Sequence, residues 1–215
     1  NIKRFIKINN LDGYIIPKND NYFTEYSKIN NLARVTNFTG SAGFAIILKN
    51  TNYLFVDGRY TLQAKKQSSK NFKILEIPYI YPKDLSNIHN SKIGFNPKLF
   101  TKAILERYFE NKNNLIPVEF NFKNKIDGNS NKTFLLNKST VGENSITKIN
   151  KIKKYMNKKK IKYLYVSASE NVNWVLNIRG KDLPNSPLVN CKLLIPNDGK
   201  LNLFINLNKI PNLIK

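Results

Sequence analysis

Residues 44–63 read FAIILKNTNYLFVDGRYTLQ, and this stretch decides the fold. Residues 44–48 and 53–56 are short apolar runs separated by the polar Lys49-Asn50-Thr51-Asn52, the pattern of two strands joined as a hairpin. After Asp57-Gly58-Arg59 the pattern turns helical through Gln67. Upstream, GYIIP (13–17) is an apolar run closed by proline; downstream, 72–77, 92–95 and 115–118 are strand candidates. Between the last two, 98–111 sets Phe100, Ala103, Ile104 and Tyr108 on one helical face. Strands alternating with helices predict an α/β unit over residues 1–120, a mixed sheet flanked by helices.

A polar stretch follows, and 121–135 is read as a linker to a second unit, 136–215. This opens with a helix at 144–158, where Ile146, Ile149, Ile152 and Met156 repeat at helical spacing and Asn144 or Ser145 supplies the cap. A strand at 163–166 comes next, then a short helix at 167–177 that would bury Val172, Trp174 and Val175. A second hairpin, 188–195 with 201–205, turns at Asn197-Asp198-Gly199. Aligning Asn37-Phe38-Thr39-Gly40 with Asn177-Ile178-Arg179-Gly180 places one hairpin after each glycine, an internal duplication. More elements follow the first hairpin than the second, so the second domain is expected to be a related but truncated copy.

Of the 215 residues, 41% are hydrophobic and 12% aromatic, so the composition of a disordered chain is absent. The formal charge of +22, from 36 basic against 14 acidic residues, by itself raises a polyanion-binding domain. Composition argues otherwise. Only five basic residues are Arg, whereas Asn (35) and Lys (31), both with A/T-rich codons, abound. Arg, suited to bidentate phosphate and base contacts, is not enriched. Residues 1–115 carry 18 basic and 8 acidic side chains and 116–215 carry 18 and 6, so no basic block stands out. Nucleic acid and membrane are therefore not expected as partners. A single Cys (Cys191) and a single His (His89) leave no disulfide framework and no Cys/His zinc site within the chain, and point to a reducing compartment, the cytoplasm. No apolar run approaches the roughly 18 residues of a membrane span, and the first ten residues lack a signal peptide's apolar core. The chain begins at Asn1 rather than Met, so a removed leader stays open.

Four features invite a functional reading. Residues 36–43 (TNFTGSAG) form a small-residue loop whose amides could cradle an anion, though it lacks the Gly-Lys-Ser/Thr ending of a phosphate loop; the plainer reading gives Gly40 and Gly43 positive φ before a buried strand. Arg59, at a strand end in a Lys-dominated chain, is either a fork that matters for binding or a structural partner of Asp57, and Arg179 beside Asp182 poses the same choice. Trp174 reads as core rather than a ligand platform, and His89, in a polar loop, as solvated. One His and thinly scattered acids make a nucleophile with its base, a carboxylate pair or a metal cluster hard to assemble, so residues 1–215 alone are expected to be catalytically inert.

Five blocks in order carry a resemblance: GYIIPKND (13–20), TEYSK (24–28), TNFTGSAGFAII (36–47), VDGRYTLQAKKQ (56–67) and ENVNWVLNIRGKDLPNSPL (170–188). Over most of its length the chain resembles the N-terminal region of long-form Xaa-Pro aminopeptidases, in the creatinase and prolidase superfamily. The resemblance implies two related α/β domains with the ribonuclease H-like motif of creatinase/prolidase N-terminal domains. These precede a "pita-bread" catalytic domain, in which Asp, Asp, His, Glu and Glu hold two metal ions, usually manganese. None of those ligands lies in this chain, so no catalytic or metal residue is assigned here. By the same resemblance Arg59 matches a first-domain Arg that helps bind substrate across the cleft, the substrates are peptides with Pro in second position, and the full-length enzyme is a homodimer. The segment would then shape the cleft and aid dimerisation. A rival, also from the superfamily, is a non-catalytic interaction module like the histone-chaperone subunits that kept the fold and lost the metals.

Overall fold

The computed structural model describes residues 1–24, 26–27, 29–122 and 132–211, in two units, 1–125 and 126–215. Most of the expected linker, 123–131, and positions 25 and 28 of the TEYSK block lie outside the described residues.

The first unit runs α1 (Ile2–Ile8), β1 (Gly13–Pro17), α2 (Asn31–Thr36), β2 (Phe44–Leu48), β3 (Asn52–Asp57), a 3₁₀ turn (Gly58–Tyr60), α3 (Thr61–Gln67) and β4 (Phe72–Ile77). Two further 3₁₀ turns (Pro82–Asp84, Ser86–Ile88), β5 (Lys92–Phe95), α4 (Lys102–Phe109) and β6 (Asn114–Pro117) complete it. The six strands form one sheet in the order β4-β3-β2-β1-β5-β6. Only β2 is antiparallel to its neighbours; the hairpin read from 44–56 pairs from Phe44↔Phe55 to Ile47↔Asn52. The central strands β1 and β2 are apolar along their whole length because both faces are covered. Ile16, Ile47, Leu54 and Val56 pack with Ile6, Leu32, Phe38 and Ala64 of the first three helices and the loop after α2. Ile15, Phe44, Ile46 and Phe55 pack on the other face with Ile88, Leu105 and Phe109. Each such buried side chain contributes roughly 1.5–3 kcal/mol. Tyr14 ties the unit's last segment to β1, donating its hydroxyl to the Val118 carbonyl (2.8 Å) and accepting from the Phe120 amide (3.1 Å).

The helix expected over 98–111 is shorter. Thr101 caps it by accepting from the Ile104 amide, and Glu110 ends it in the left-handed region (φ 48°). Phe100 therefore precedes the helix, Ala103 faces solvent, and Leu105 and Phe109 take the buried positions.

The second unit comprises β7 (Phe134–Leu135), α5 (Ser145–Lys158), β8 (Tyr163–Val166), α6 (Ser169–Leu176), β9 (Ile178–Arg179), β10 (Cys191–Pro196), β11 (Asn202–Ile205) and a 3₁₀ turn (Leu207–Lys209). Asn144 caps α5 as read, but Ile146 lies off its buried face, which carries Lys148 and Met156 instead. The sheet order is β11-β10-β8, antiparallel throughout, and β7 pairs with β9 apart from it. One sheet face buries Cys191, Leu193 and Ile195 against Met156, Val172 and Val175. On the other, Tyr163, Tyr165 and Phe204 are exposed.

The duplication is visible in the coordinates. Helix, strand, helix, hairpin and 3₁₀ turn occur in the same order in both units, with β3-β2-β1 answered by β11-β10-β8. Asn37 and Asn177 both end their helices in the left-handed region, with φ 65° and 55°.

Candidate functional site

At the end of β3 the Asp57 carboxylate accepts from the Arg59 amide (3.0 Å), capping the 3₁₀ turn, and from Arg59 Nε (3.1 and 3.2 Å) and Nη2 (2.7 Å). One carboxylate thus shapes the turn and fixes the guanidinium. The Arg59 hydrogen bonds hold the Asp57 carboxyl below its usual value of 3.8, so the pair is charged at neutral pH. The Arg59 side chain nonetheless stays 72% exposed. Its guanidinium carbon lies 5.3 Å from the centre of the Tyr60 ring, and the Tyr60 hydroxyl bonds Ser41 Oγ (2.8 Å). A Cβ on Gly58 would stand 2.8 Å from Glu76 Oε1, the tip of a flexible side chain that can swing aside.

The second unit has the same device with different side chains. Asn206 caps the turn at Leu207–Lys209 by accepting from the Asn208 amide, and Lys209 Nζ reaches Asp182 Oδ2 (2.6 Å), as Tyr60 reaches Ser41. Asn208 occupies the place of Arg59. The fold of the turn therefore does not demand a guanidinium.

Three amides of the loop at 36–43 serve the fold. The amides of Asn37, Phe38 and Thr39 donate to the Ala33 carbonyl (2.7 Å), Thr36 Oγ1 (3.0 Å) and Gln67 Oε1 (2.9 Å). The two glycines differ in purpose. Gly43 has positive φ (151°), whereas Gly40 does not; a Cβ on Gly40 would meet the buried Phe38 ring at 2.1 Å, so contact rather than torsion requires it.

The block 170–188 is likewise engaged in folding. Arg179 does not pair with Asp182: its Nη1 donates to the carbonyls of Asn173 (3.1 Å) and Ile178 (2.8 Å), while Asp182 Oδ2 accepts from Lys209 and the Asn190 amide (2.7 Å). Trp174 is 58% exposed rather than core, since it projects from the side of α6 opposite Val172. Two residues that the sequence reading passed over are central. Asn173, fully buried, donates Nδ2 to the carbonyls of Ser169 (2.7 Å) and Val189 (2.8 Å) and accepts the Val189 amide (3.1 Å). Lys148, 5% exposed, donates to the Trp174 carbonyl and to Asn177 Oδ1 (2.6 Å), with its ammonium 4.1 Å from the indole centre. Asn173 had a signal, a polar residue inside an apolar helical stripe; Lys148 had none in a chain with 31 lysines. His89 is half-buried and bonds the Lys83 carbonyl (2.8 Å) rather than standing in solvent.

Two depressions open on the first unit. One of about 390 Å³ lies between α4 and β5/β6, and its charged residues, Lys102 and Glu106, pair with each other (3.6 Å). The other, about 190 Å³, lies where the end of β1 and the start of β2 face α4. Among the described residues no group of three His, Cys, Asp or Glu side chains is placed to hold a metal ion. Burial pushes the Cys191 thiol up to about 12, far from a reactive thiolate. No helix among the described residues is long and apolar enough to cross a membrane.

Two family models, both described as the creatinase/prolidase N-terminal domain, match this chain, over residues 1–121 and 124–215. The chain is 29% identical to Xaa-Pro aminopeptidase 1 of Dictyostelium discoideum, over 97% of its own length and 37% of that protein. It is 30% identical to Xaa-Pro aminopeptidase ApepP of Drosophila melanogaster, over 94% and 36%. The X-prolyl aminopeptidase of Caenorhabditis elegans, described as a cytosolic enzyme with a di-nuclear active site, has the same fold over 94% of this chain and 36% of that one, with a TM-score of 0.81 at 22% identity. The chain thus spans little more than a third of the length of these relatives.

Proposed function

We propose, from the premise that this chain belongs to the creatinase/prolidase N-terminal domain family, that it is the N-terminal, non-catalytic part of an Xaa-Pro aminopeptidase. Such an enzyme removes an N-terminal residue that precedes proline. Relatives matched along nearly the whole chain carry that name. At the level of the site one observation carries the reading: Arg59 is oriented by Asp57 yet exposed, on a turn whose counterpart forms with Asn208. An exopeptidase must grip its substrate beyond the scissile bond. A pre-oriented guanidinium suits a peptide carbonyl or carboxylate there, by charge-assisted hydrogen bonds that hold the reacting bond in register.

In this reading the segment walls the substrate cleft and restricts entry to free N-termini, and the full-length enzyme is a cytoplasmic homodimer. Two divalent metal ions, manganese, would polarise the scissile carbonyl and supply the nucleophile. In this reading a catalytic domain outside these residues holds them; among the described residues no ligand set is placed for them.

The test compares the full reading frame with residues 1–215 on a peptide with Pro in second position, with and without Mn²⁺. Release of the first residue is expected from the full protein only. Arg59→Lys in the full protein is expected to raise KM about tenfold, the scale of one charge-assisted hydrogen bond lost. No release from either protein defeats the aminopeptidase reading, and an unchanged KM removes Arg59 from it.

A further inference from the structure

We infer that the 190 Å³ groove of the first unit takes the side chain of the substrate residue that follows the proline, and that it selects a large apolar one. The inference rests on the aminopeptidase reading and adds a specificity to it. The five parallel strands β1, β3, β4, β5 and β6 end on one sheet edge, and Asp57 and Arg59 stand there. At β1 the topology switches: the chain leaves toward β2 on one side and returns as β5 on the other. Crevices outside the carboxyl ends of strands at such a switch are where open α/β sheets bind ligands. The groove lies beside this point, with Pro17 at the end of β1, Phe44 at the start of the antiparallel β2 and Phe100 from the segment after β5 in its lining.

Its size decides what it holds. A volume near 190 Å³ is below the roughly 300–1,000 Å³ of a site that swallows a whole ligand. It suits one side chain of a molecule held elsewhere. Phe23, Phe100, Ile104 and Tyr108 add apolar and aromatic wall, and Ser41 forms a polar rim. That rim connects the groove to the candidate anchor, because Ser41 Oγ is bonded to the hydroxyl of Tyr60, the neighbour of Arg59. No carboxylate among the described residues lines the groove, so a cationic side chain would leave water for an apolar wall without a counter-charge there. In the proposed pose the proline carbonyl meets Arg59 and the side chain that follows enters past Ser41.

The experiment measures kcat/KM of the full-length enzyme for Ala-Pro-Leu, Ala-Pro-Gly and Ala-Pro-Lys. Leu is expected to exceed Gly and Lys by about tenfold or more, the scale on which a hydrophobic pocket discriminates. Ile104→Trp, which fills the groove, and Ile104→Ala, which widens it, are both expected to bring the Leu/Gly ratio toward one; thermal melting checks that each variant folds. Equal use of Leu and Gly by the unmodified enzyme, or a ratio that survives Ile104→Trp, overturns the proposal while the aminopeptidase reading stands. If no proline-containing peptide is cleaved, that reading fails, and amide shifts in residues 1–215 titrated with Pro-Leu and Pro-Gly then decide the groove. Shifts at Gly43, Phe44 and Ile104 with Pro-Leu alone support a peptide subsite, and their absence overturns it.

Discussion

Replacing Asn173 by Ala tests how the second unit is held together. The carboxamide faces the backbone of Val189 as a neighbouring strand would, receiving its N–H (3.1 Å) and donating to its C=O (2.8 Å), with no solvent access. Truncation strands both groups, at about 1–3 kcal/mol for each buried polar group left unmet. The Val189 carbonyl keeps one weak partner, the Cys191 thiol at 3.5 Å, and the Ser169 carbonyl still lies within α6. The expected loss is therefore about 2–4 kcal/mol, a large share of a typical 5–15. Urea unfolding followed through Trp174 fluorescence measures it, since the chain's one Trp lies on the same helix and points away from the substitution. Asn173→Asp separates packing from hydrogen bonding. It keeps the shape but sets a buried carboxylate against two carbonyls, so its carboxyl pKa rises on folding and stability should recover as pH falls. A loss below about 1 kcal/mol for Asn173→Ala at unchanged m-value would show that the network is incidental.

Three further outcomes follow from the packing. Gly40→Ala drives a methyl group into the fully buried Phe38 ring and should cost the first unit about 1–3 kcal/mol, read by circular dichroism melts; an unchanged melt would mean that the ring yields. Burial lowers the Lys148 ammonium below 10.5, so unfolding takes up a proton between the folded value and 10.5 and stability rises with pH across that window. Lys148→Met should flatten this rise relative to the parent, as urea midpoints from pH 8 to 10.5 would show. Cys191 has the opposite sign: its thiol is raised from 9.0 to about 12, so stability falls above pH 9 as the unfolded thiol ionises first. At pH 8 a thiol reagent should label the protein only after denaturant is added, and labelling of the native chain would refute the burial argument.

Much of this fold could be read from the sequence because its strands are short apolar runs closed by turn residues. The hairpin read at 44–56, the cap read at Asn144 or Ser145 and the repeated Asn-x-x-Gly all describe local physics; the hairpin forms with its second strand one residue longer at each end, and Asn144 is the cap. The choice of buried face in short helices was less legible. Over the eight residues of α6 the apolar positions outnumber those that the sheet can cover, so Trp174 could be placed only once the sheet was known. The Asp57–Arg59 pair was foreseen because its partners are two residues apart. Arg179 turns to carbonyls, and Asp182 pairs instead with Lys209, 27 residues away, a partner that no local pattern announces. The groove joins residues from Pro17 to Tyr108, and no local pattern encodes such a meeting.

The open face of the three-stranded sheet bears on how this chain behaves in a tube. Tyr163, Tyr165 and Phe204 form an aromatic surface of the kind that drives association. The same molecule carries +22, and like charge keeps copies apart while the screening length is about 10 Å, near 0.1 M salt. At 1 M salt that length falls to about 3 Å and the aromatic attraction is left unopposed. Solubility of the isolated chain is thus governed by ionic strength in the sense opposite to that of a polyanion-bound protein, and purification belongs at low salt and at a pH well below 10.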